Sequence, residues 1–356
     1  MPSRRSFLAG LLGTSATVSL GWAAVGNPAA LTAAKNAQGS HLLIGLKASG
    51  DIAFSLPLPA RGHAAAAHPH VAEAVAIARR PGTFAKVIDC ATGAVLQTLR
   101  TPVGRHFYGH AAFSADGALL FTTENDVATG NGRIGVWDRT LSYRRVDEFS
   151  STGIGPHEIL RLPGGHLAVA NGGIRTHPAS GRDKLNLDTM RPNLSIFNAS
   201  GALIDQAEVE DATHQNSLRH IAAAADGTVI CGFQWQGDPF AAPPLVALYA
   251  GAGKLRPADM DEASLHGLGG YIGSVSAFGA SYAASAPRGG RAFRFDKAGV
   301  QTGQFRADDI CGLCAAPDST GLATDGMGNV YRIAVEGMHV LRTHPLAFDN
   351  HLVALA

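Results

Sequence analysis

The sequence predicts an all-β fold: a seven-bladed β-propeller whose last blade combines strands from both ends of the chain. A degenerate repeat recurs with a period of roughly 40–50 residues, which is typical of propeller blades. Each copy contains several short runs rich in Val, Ile, Phe or Tyr that end at turn residues. The 43 glycines and 18 prolines suit many tight turns better than long helices. One closed domain accounts for most of the 356 residues.

The repeat is most visible as a histidine near the start of the first strand of a unit. In three units this histidine lies seven residues before a turn glycine: His110 before Gly117, His157 before Gly164, and His220 before Gly227. His63 lies 47 residues before His110, the same step that separates His110 from His157. His351 opens a short apolar strand at the end of the chain. Five units therefore carry a histidine at one equivalent position.

The unit that contains His110 predicts the strand pattern of a blade. Its four strands are expected at residues 110–114, 118–124, 133–138 and 143–149. Weaker units begin near Ser274 and Gly312, which brings the count to seven. The final unit, begun by His351, holds one strand, so strands at 42–47 and 51–56 are expected to complete it. Such closure removes exposed sheet edges.

The N-terminus has the features of a twin-arginine export signal. Arg4 and Arg5 precede an uncharged, modestly apolar run at 9–25 that contains Gly, Ala, Ser and Thr. The alternative is a membrane anchor, for which a run of 17 such residues is marginal. We therefore expect a cleaved signal peptide at 1–35, a single propeller domain at 36–356, a periplasmic location and no stable membrane span after cleavage.

The charge balance argues against nucleic acid as a partner. Lys and Arg together number 29 and Asp and Glu 28, so the net charge is close to zero. No stripe of basic residues occurs in the sequence to bind a phosphate backbone.

The sequence contains four cysteines, and the expected export places them in an oxidising compartment, where disulfides can form. Cys311 and Cys314 form a CxxC motif that is compatible with a disulfide, with metal ligation or with two unpaired thiols. The motif is expected to precede a strand, which argues against a thioredoxin-like role. Cys90 and Cys231 fall in predicted strands and are expected to be small buried residues.

The repeated histidines predict a ring of imidazoles at one end of the central channel, where the leading ends of the inner strands meet. Neutral imidazole is the commonest protein ligand for Fe, Cu, Zn and Ni. Glu124 or a thiol of the CxxC motif is expected to add a ligand. The predicted metal ligands are His63, His110, His157, His220, His351 and Glu124. The alternative is that these histidines only cap strands and bond to neighbouring blades.

Other polar residues are placed around this ring by the same repeat. Residues that end second strands are expected beside it, namely Arg79, Glu124, Asn171, Gln234 and Asp325. His177 is a candidate lid ligand, whereas His68 and His70 are expected to be solvated at the opposite face. Glu158 follows His157, and strand alternation assigns it a structural role facing away from the ring.

The chain resembles a family of twin-arginine-exported periplasmic seven-bladed propellers associated with imelysin-like and di-haem peroxidase-like proteins of bacterial iron acquisition. The resemblance covers the whole mature chain and is carried by Arg4-Arg5, residues 109–117, 155–158 and 217–220, and Asn350-His351-Leu352. It implies a role in iron uptake and other periplasmic iron-uptake proteins as partners. It implies no catalytic residues.

Together these features predict a periplasmic metal-binding propeller that acts in iron uptake or handling. The expected cofactor is iron or copper, with haem iron as a further form. One alternative is a metal-dependent oxidoreductase or hydrolase at the same site, the hydrolase using Glu124, Asn171 and Asp325. The other is a metal-free scaffold that docks another protein on this face.

Overall fold

The architecture is a ring of seven antiparallel four-stranded sheets. The structure, a computed structural model, describes residues 20–78, 82–181 and 183–355. In these ranges the chain forms 28 strands and one short α-helix, α1 (Glu262–Gly267). The predicted all-β, seven-bladed fold is confirmed.

The strands are given in chain order, and each blade is numbered by its inner strand. The chain starts with three strands of the closing blade, blade 7: β1 (Ala30–Asn36), β2 (His41–Leu46) and β3 (Ile52–Leu58). Blade 1 contains β4 (Gly62–Ala67), β5 (Glu73–Ala78), β6 (Phe84–Asp89) and β7 (Val95–Arg100). Blade 2 contains β8 (Arg105–Phe113), β9 (Leu119–Asp126), β10 (Asn131–Asp138) and β11 (Arg144–Ile154). Blade 3 contains β12 (Pro156–Arg161), β13 (Leu167–Asn171), β14 (Asn193–Phe197) and β15 (Leu203–Glu208).

The remaining blades follow the same plan from inner to outer strand. Blade 4 contains β16 (Asn216–Ala223), β17 (Val229–Trp235), β18 (Val246–Tyr249) and β19 (Leu255–Pro257). Blade 5 contains β20 (Ser274–Phe278), β21 (Ser281–Ala286), β22 (Arg291–Asp296) and β23 (Gln301–Arg306). Blade 6 contains β24 (Ile310–Ala315), β25 (Gly321–Asp325), β26 (Asn329–Ile333) and β27 (Met338–Thr343), and β28 (Leu346–Ala354) returns to blade 7. Short 3-10 helices occur at Trp22–Val25, Arg139–Leu141, Pro163–Gly165, Pro178–Ser180, Leu187–Thr189, Asp211–Thr213 and Pro287–Gly289.

The ring is closed by strands from the two ends of the chain. The inner strands contact one another in a full cycle, from β4 through β8, β12, β16, β20 and β24 to β28, which contacts β4 again. β28 is the inner strand of blade 7 and pairs with β1, where Ala30 lies opposite Ala354 and Thr32 opposite Leu352. The Thr32 hydroxyl also donates to the His351 carbonyl at 2.8 Å. The predicted sharing of one blade is confirmed.

The closing blade contains one strand more from the N-terminal side than the sequence predicts. The expected strands at 42–47 and 51–56 correspond to β2 and β3. β1 lies between β28 and β2, in a stretch that the sequence assigns to the signal peptide. Upstream of it, the Trp22 indole donates to the His68 carbonyl at 2.8 Å. Arg4 and Arg5 lie outside the described residues.

The core consists of apolar side chains packed between neighbouring sheets. Phe107, Phe197, Phe293 and Phe295 are among the largest side chains that are fully buried. Each comes from a strand whose hydrophobic faces are covered on both sides by adjacent blades, which explains the nearly continuous apolar runs of the inner and middle strands. Across the described ranges, no helix is long and apolar enough to cross a lipid bilayer.

The CxxC motif lies inside a strand and forms no disulfide. All four cysteines are buried free thiols, and both Cys311 and Cys314 belong to β24. Residues three apart on an extended strand are separated by about 10 Å, beyond the Cα separation that a disulfide spans. Burial raises the pKa of both thiols above the ordinary range. The disulfide expected as one reading of this motif is therefore wrong.

Candidate functional site

Five inner strands bring five histidines to one point of the channel. These residues, called the histidine cluster below, are His63, His110, His157, His220 and His351. The closest pair of rings, His110 and His351, has centroids 4.6 Å apart, and the His110–His220 centroids are 6.4 Å apart. The predicted convergence of the repeated histidines is confirmed.

A β-bulge at the same place in each of these strands directs the imidazoles into the channel. Relative to the second strand of each blade, the register shifts within 62–65 of β4, 107–111 of β8, 156–158 of β12, 218–220 of β16 and 348–352 of β28. Every shifted segment contains the histidine. Because a bulge inserts extra residues and locally bends the strand, it re-aims side chains that strict alternation would send elsewhere.

The packing of the cluster leaves no room for a side chain at Gly109. This residue has φ +105°, and a Cβ atom there would lie 2.2 Å from the His63 ring. The neighbouring blade therefore presents bare backbone to the imidazole. Only glycine combines this backbone conformation with so close an approach.

Three of the imidazoles are held in the neutral form by their surroundings. Burial, followed by the nearby His351, His63 and His220, lowers the pKa of His110 well below its ordinary value. Burial, followed by His110 and the Arg219 charge, does the same for the pKa of His157. Burial and Arg219 lower the pKa of His220 to about 3. At neutral pH these rings therefore carry lone pairs rather than positive charge.

The hydrogen bonds show which ring nitrogens carry those lone pairs. His157 Nδ1 lies 3.0 Å from the Arg219 carbonyl, which only accepts, so Nδ1 is the protonated atom and Nε2 has the lone pair. The buried Nε2 of His110 has no hydrogen-bond partner. Nitrogen atoms of His63, His110 and His351 lie within 4.8 Å of one another. Three imidazole nitrogens therefore face a common space.

Glu158 belongs to the site, contrary to the prediction from strand alternation. Its carboxylate accepts from His220 Nδ1 at 3.2 Å and from the Ile221 amide at 3.1 Å, and lies 3.7 Å from His110 Nδ1. The bulge at His157 breaks the alternation, so the residue after it also turns inward. Burial raises the pKa of Glu158 to about 7, with the nearby His351 and the Ile221 amide acting in the opposite direction.

Glu124, the sixth predicted ligand, lies in a separate ion network within blade 2. Its carboxylate accepts from Arg145 at 2.5 Å and from the Thr122 hydroxyl at 3.0 Å, and Arg105 is 3.8 Å away. The same two arginines bind Glu148. Arg145 of the outer strand β11 thus bonds both Glu124 oxygens, which the strand sequence alone does not reveal.

The other residues expected around the ring have mostly structural contacts. Asn171 bonds to Ser151 and Asn193, and Asp325 accepts from Asn329 and Tyr331. These bonds hold loops within their own blades or to a neighbouring blade rather than turning polar atoms to the cluster. Arg79 lies outside the described residues.

For three further residues, the observed position agrees with the sequence prediction to different degrees. Gln234 lines the same cavity as the cluster and donates to the Ile272 carbonyl at 3.2 Å. His177 accepts from the Ala179 amide at 3.2 Å and caps a 3-10 helix, so its Nδ1 is engaged within its own loop. His68 is buried and not solvated, with Nδ1 accepting from the His70 and Val71 amides.

The cluster separates two cavities along the channel. The mouth cavity, of about 370 Å³, is lined by His63, His157, His220 and His351 together with cationic and aromatic residues. The channel cavity, of about 340 Å³, lies against His110, Glu158 and His351 and is otherwise lined mainly by Ala, Ile, Leu, Val and Ser of the inner strands. The imidazoles therefore lie between a cavity lined by cations and aromatic rings and a cavity lined mainly by small side chains.

Comparison with known proteins places the chain in a family. Residues 56–355 match a family described as "Protein of unknown function (DUF1513)". The chain belongs to this family. No protein of curated function matches the sequence.

Two solved structures are similar to the chain at low sequence identity. A chain of the "Crystal Structure of Mitotic Checkpoint Complex" superposes with a TM-score of 0.57 and 11% identity, over 80% of this chain and 77% of that one. A protein of unknown function from Bacteroides caccae has a TM-score of 0.49 and 12% identity, over 78% of this chain and 94% of that one. The likeness to the first concerns the fold alone.

Proposed function

We propose that the histidine cluster binds a transition metal ion, iron or copper, and that the protein handles iron in the periplasm. The observation that carries the proposal is the convergence of His63, His110 and His351, whose nitrogens lie within 4.8 Å of one another. Imidazole nitrogen is a preferred ligand of both metals.

The geometry is close to that of a metal site. Nitrogens bound at 2.0–2.1 Å to a tetrahedral ion lie about 3.4 Å from one another. The three imidazoles need only a small approach from their present separation. The buried His110 Nε2 atom, which has no hydrogen-bond partner, gains one in an ion.

The contacts behind the rings suit ligand imidazoles. The Arg219 carbonyl holds His157 through Nδ1, and the Glu158 carboxylate holds His220 through Nδ1. Carbonyl and carboxylate acceptors in this position fix the ring orientation and strengthen the other nitrogen as a ligand. A bound ion would supply positive charge that the neutral cluster lacks, and Glu158 would offset part of it.

The cellular role rests on the sequence rather than on the site. Arg4 and Arg5 with the uncharged run after them support export to the periplasm by the twin-arginine pathway. The resemblance to propellers of iron-acquisition systems supports iron, free or in haem, and periplasmic iron-uptake proteins as partners. Iron is therefore proposed ahead of copper.

The proposal is tested by metal binding to natively exported protein and by calorimetry with Fe²⁺ (without oxygen), Cu²⁺ and Zn²⁺. We expect bound metal in elemental analysis, and a stabilisation of about 2.7 kcal/mol when free metal exceeds its Kd a hundredfold. His110→Ala/His351→Ala should abolish both, and because both side chains are buried, circular dichroism of the metal-free variant checks that it remains folded. The matched control is His339→Ala, an exposed position on the outer strand β27. If none of the three ions binds, the metal site is wrong and a protein-docking scaffold becomes the better hypothesis.

A further inference from the structure

The mouth cavity has an electrostatic character opposite to that of a site for a bare cation. Lys184, Arg219 and Arg288 line it, and none of the described residues that line it is Asp or Glu. The nearby carboxylate of Asp349 is held in an ion pair by Arg61 at 2.7 Å. A divalent ion that approaches from this side therefore meets positive charge.

Two of these cations are directed at the cluster and its aromatic wall. The Arg219 charge acts on His157, His220 and Tyr271, as its influence on the pKa of each group shows. The Arg288 guanidinium lies 4.5 Å from the centre of the Tyr271 ring. Both arginines therefore line the same cavity as four of the imidazoles.

The channel cavity on the other side of the cluster differs in charge. Small apolar side chains form most of its lining, but the Glu158 carboxylate and three serines lie among them. The nitrogen ligands that face the mouth cavity, by contrast, share it with three cations and with no carboxylate among the described lining residues. A ligand that carries negative charge together with the metal suits this side of the cluster.

We infer that the protein takes its metal as an anionic carboxylate chelate, whose carboxylates bind Arg219 and Arg288 while the metal faces the histidine cluster. Arginine matches a carboxylate with two parallel N–H donors, which makes it the preferred residue for this group. The cavity of about 370 Å³ lies in the range of small-molecule sites. This inference rests on the proposed metal site and adds the chemical class of its substrate.

The experiment separates the anion from the metal by using citrate and Zn²⁺ as probes. Citrate is titrated into the metal-free protein, and Zn²⁺ is then titrated with and without citrate. The test variant is Arg219→Gln/Arg288→Gln. The matched control is Arg256→Gln/Arg306→Gln, which removes the same charge from the exposed outer strands β19 and β23.

We expect citrate to bind the metal-free wild type and the control variant with equal affinity. Its affinity for the test variant should be at least about tenfold lower. Citrate binding should persist in His110→Ala/His351→Ala, whereas Zn²⁺ binding should not. Citrate binding that is absent, or equal in both arginine variants, overturns the inference. Phosphate that binds as well as citrate through the same arginines overturns the assignment to carboxylates.

The two proposals fail in different ways. If Zn²⁺ binds without citrate and citrate has no effect, only the chelate inference is wrong. If citrate binds through the arginines but no metal binds with or without it, the metal site and the chelate inference are both wrong.

Discussion

The inner strands of the ring fall into two groups that differ in one local feature. Blades 1–4 and 7 have a bulge and a histidine at the same position. In blade 5, β20 pairs residue for residue with β21 from Ser274 to Phe278, without a bulge or a histidine. In blade 6, β24 has the bulge, but Cys311 and Gly312 occupy it. The bulge thus orients side chains towards the channel, and the residue type at this position determines whether the strand offers an imidazole ligand.

This difference makes the site one-sided. The three histidines with the closest nitrogens, His351, His63 and His110, come from the consecutive blades 7, 1 and 2. Blades 5 and 6 complete the ring between blades 4 and 7 and contribute small or apolar inner-strand residues. The candidate site therefore includes the seam where the two ends of the chain meet.

The largest effect on stability is expected from removing β28, the strand that closes the ring and also contains His351. Deletion of residues 346–356 takes away β28, including buried Phe348 and Leu352, and exposes the edges of β1 and of its neighbours. We expect loss of more than about 5 kcal/mol of the free energy of unfolding, because the whole ring opens. Thermal unfolding followed by circular dichroism measures it, with deletion of residues 355–356 as the control. A truncated protein that melts like wild type would contradict closure.

A smaller effect is expected from the carboxylate that supports two histidines of the bulged group. Glu158→Ala leaves the Ile221 amide and His220 Nδ1 without their acceptor, which should cost about 1–3 kcal/mol of stability. Metal affinity should fall about 10- to 100-fold, as for other groups that orient ligand imidazoles. Glu158→Gln keeps an acceptor oxygen and should lose less. Denaturant unfolding and metal titration of both variants decide it, and equal losses would argue against the orienting role.

His68 directly follows β4, whereas His63 lies near the start of that strand. In contrast to His63, His68 has a structural role. Burial and the Arg139 charge lower its pKa to about 4 against an ordinary 6.5, with Glu73 acting in the opposite direction. Protonation therefore favours the unfolded chain, so its contribution to stability is complete above pH 6.5 and is lost as the pH falls from 6.5 to 4. We expect a loss on the order of 2 kcal/mol in this window from this residue.

The measurement compares wild type with His68→Asn in urea at pH 7.5, 5.5 and 4.5. All other side chains are the same in both proteins, so the difference between their curves isolates His68. The variant should show the shallower pH dependence. Parallel curves would show that His68 does not titrate in this range.

The smallest effect is expected from adding a histidine where the strand lacks a bulge. Ser276 of β20 lines the channel cavity, and Ser276→His adds an imidazole to blade 5. Without the bulge we expect metal affinity to stay within about twofold of wild type. Calorimetry with Zn²⁺ tests this, and a tenfold gain would show that position in the ring matters more than local strand geometry.

The fold and the cluster were predictable because both depend on periodic signals. Seven turn-anchored units and five histidines in one register determine which side chains meet, whatever the details of each strand. Glu158 was not predictable in the same way, since the alternation rule fails at a bulge that depends on pairing with the second strand. The same holds for His68, whose burial comes from Trp22 and the neighbouring blade.

Other errors came from local sequence that has two interpretations. Glu124 ends a second strand as a ligand would, but Arg145, 21 residues further along, occupies its carboxylate. The CxxC spacing fits a disulfide only in a turn or helix, and the extended conformation of β24 separates the thiols. β1 is rich in alanine and follows a hydrophobic segment, so its composition resembles the end of an export signal more than a strand.

The position of β1 gives any proteolytic processing of the N-terminus a structural meaning. A cut upstream of Ala30 leaves the ladder between β28 and β2 intact. A cut after Asn36, only a few residues further on, would remove β1, which pairs with both β28 and β2, and would open the ring as deletion of β28 does. The position of any such cut would therefore decide between a closed ring and an open one.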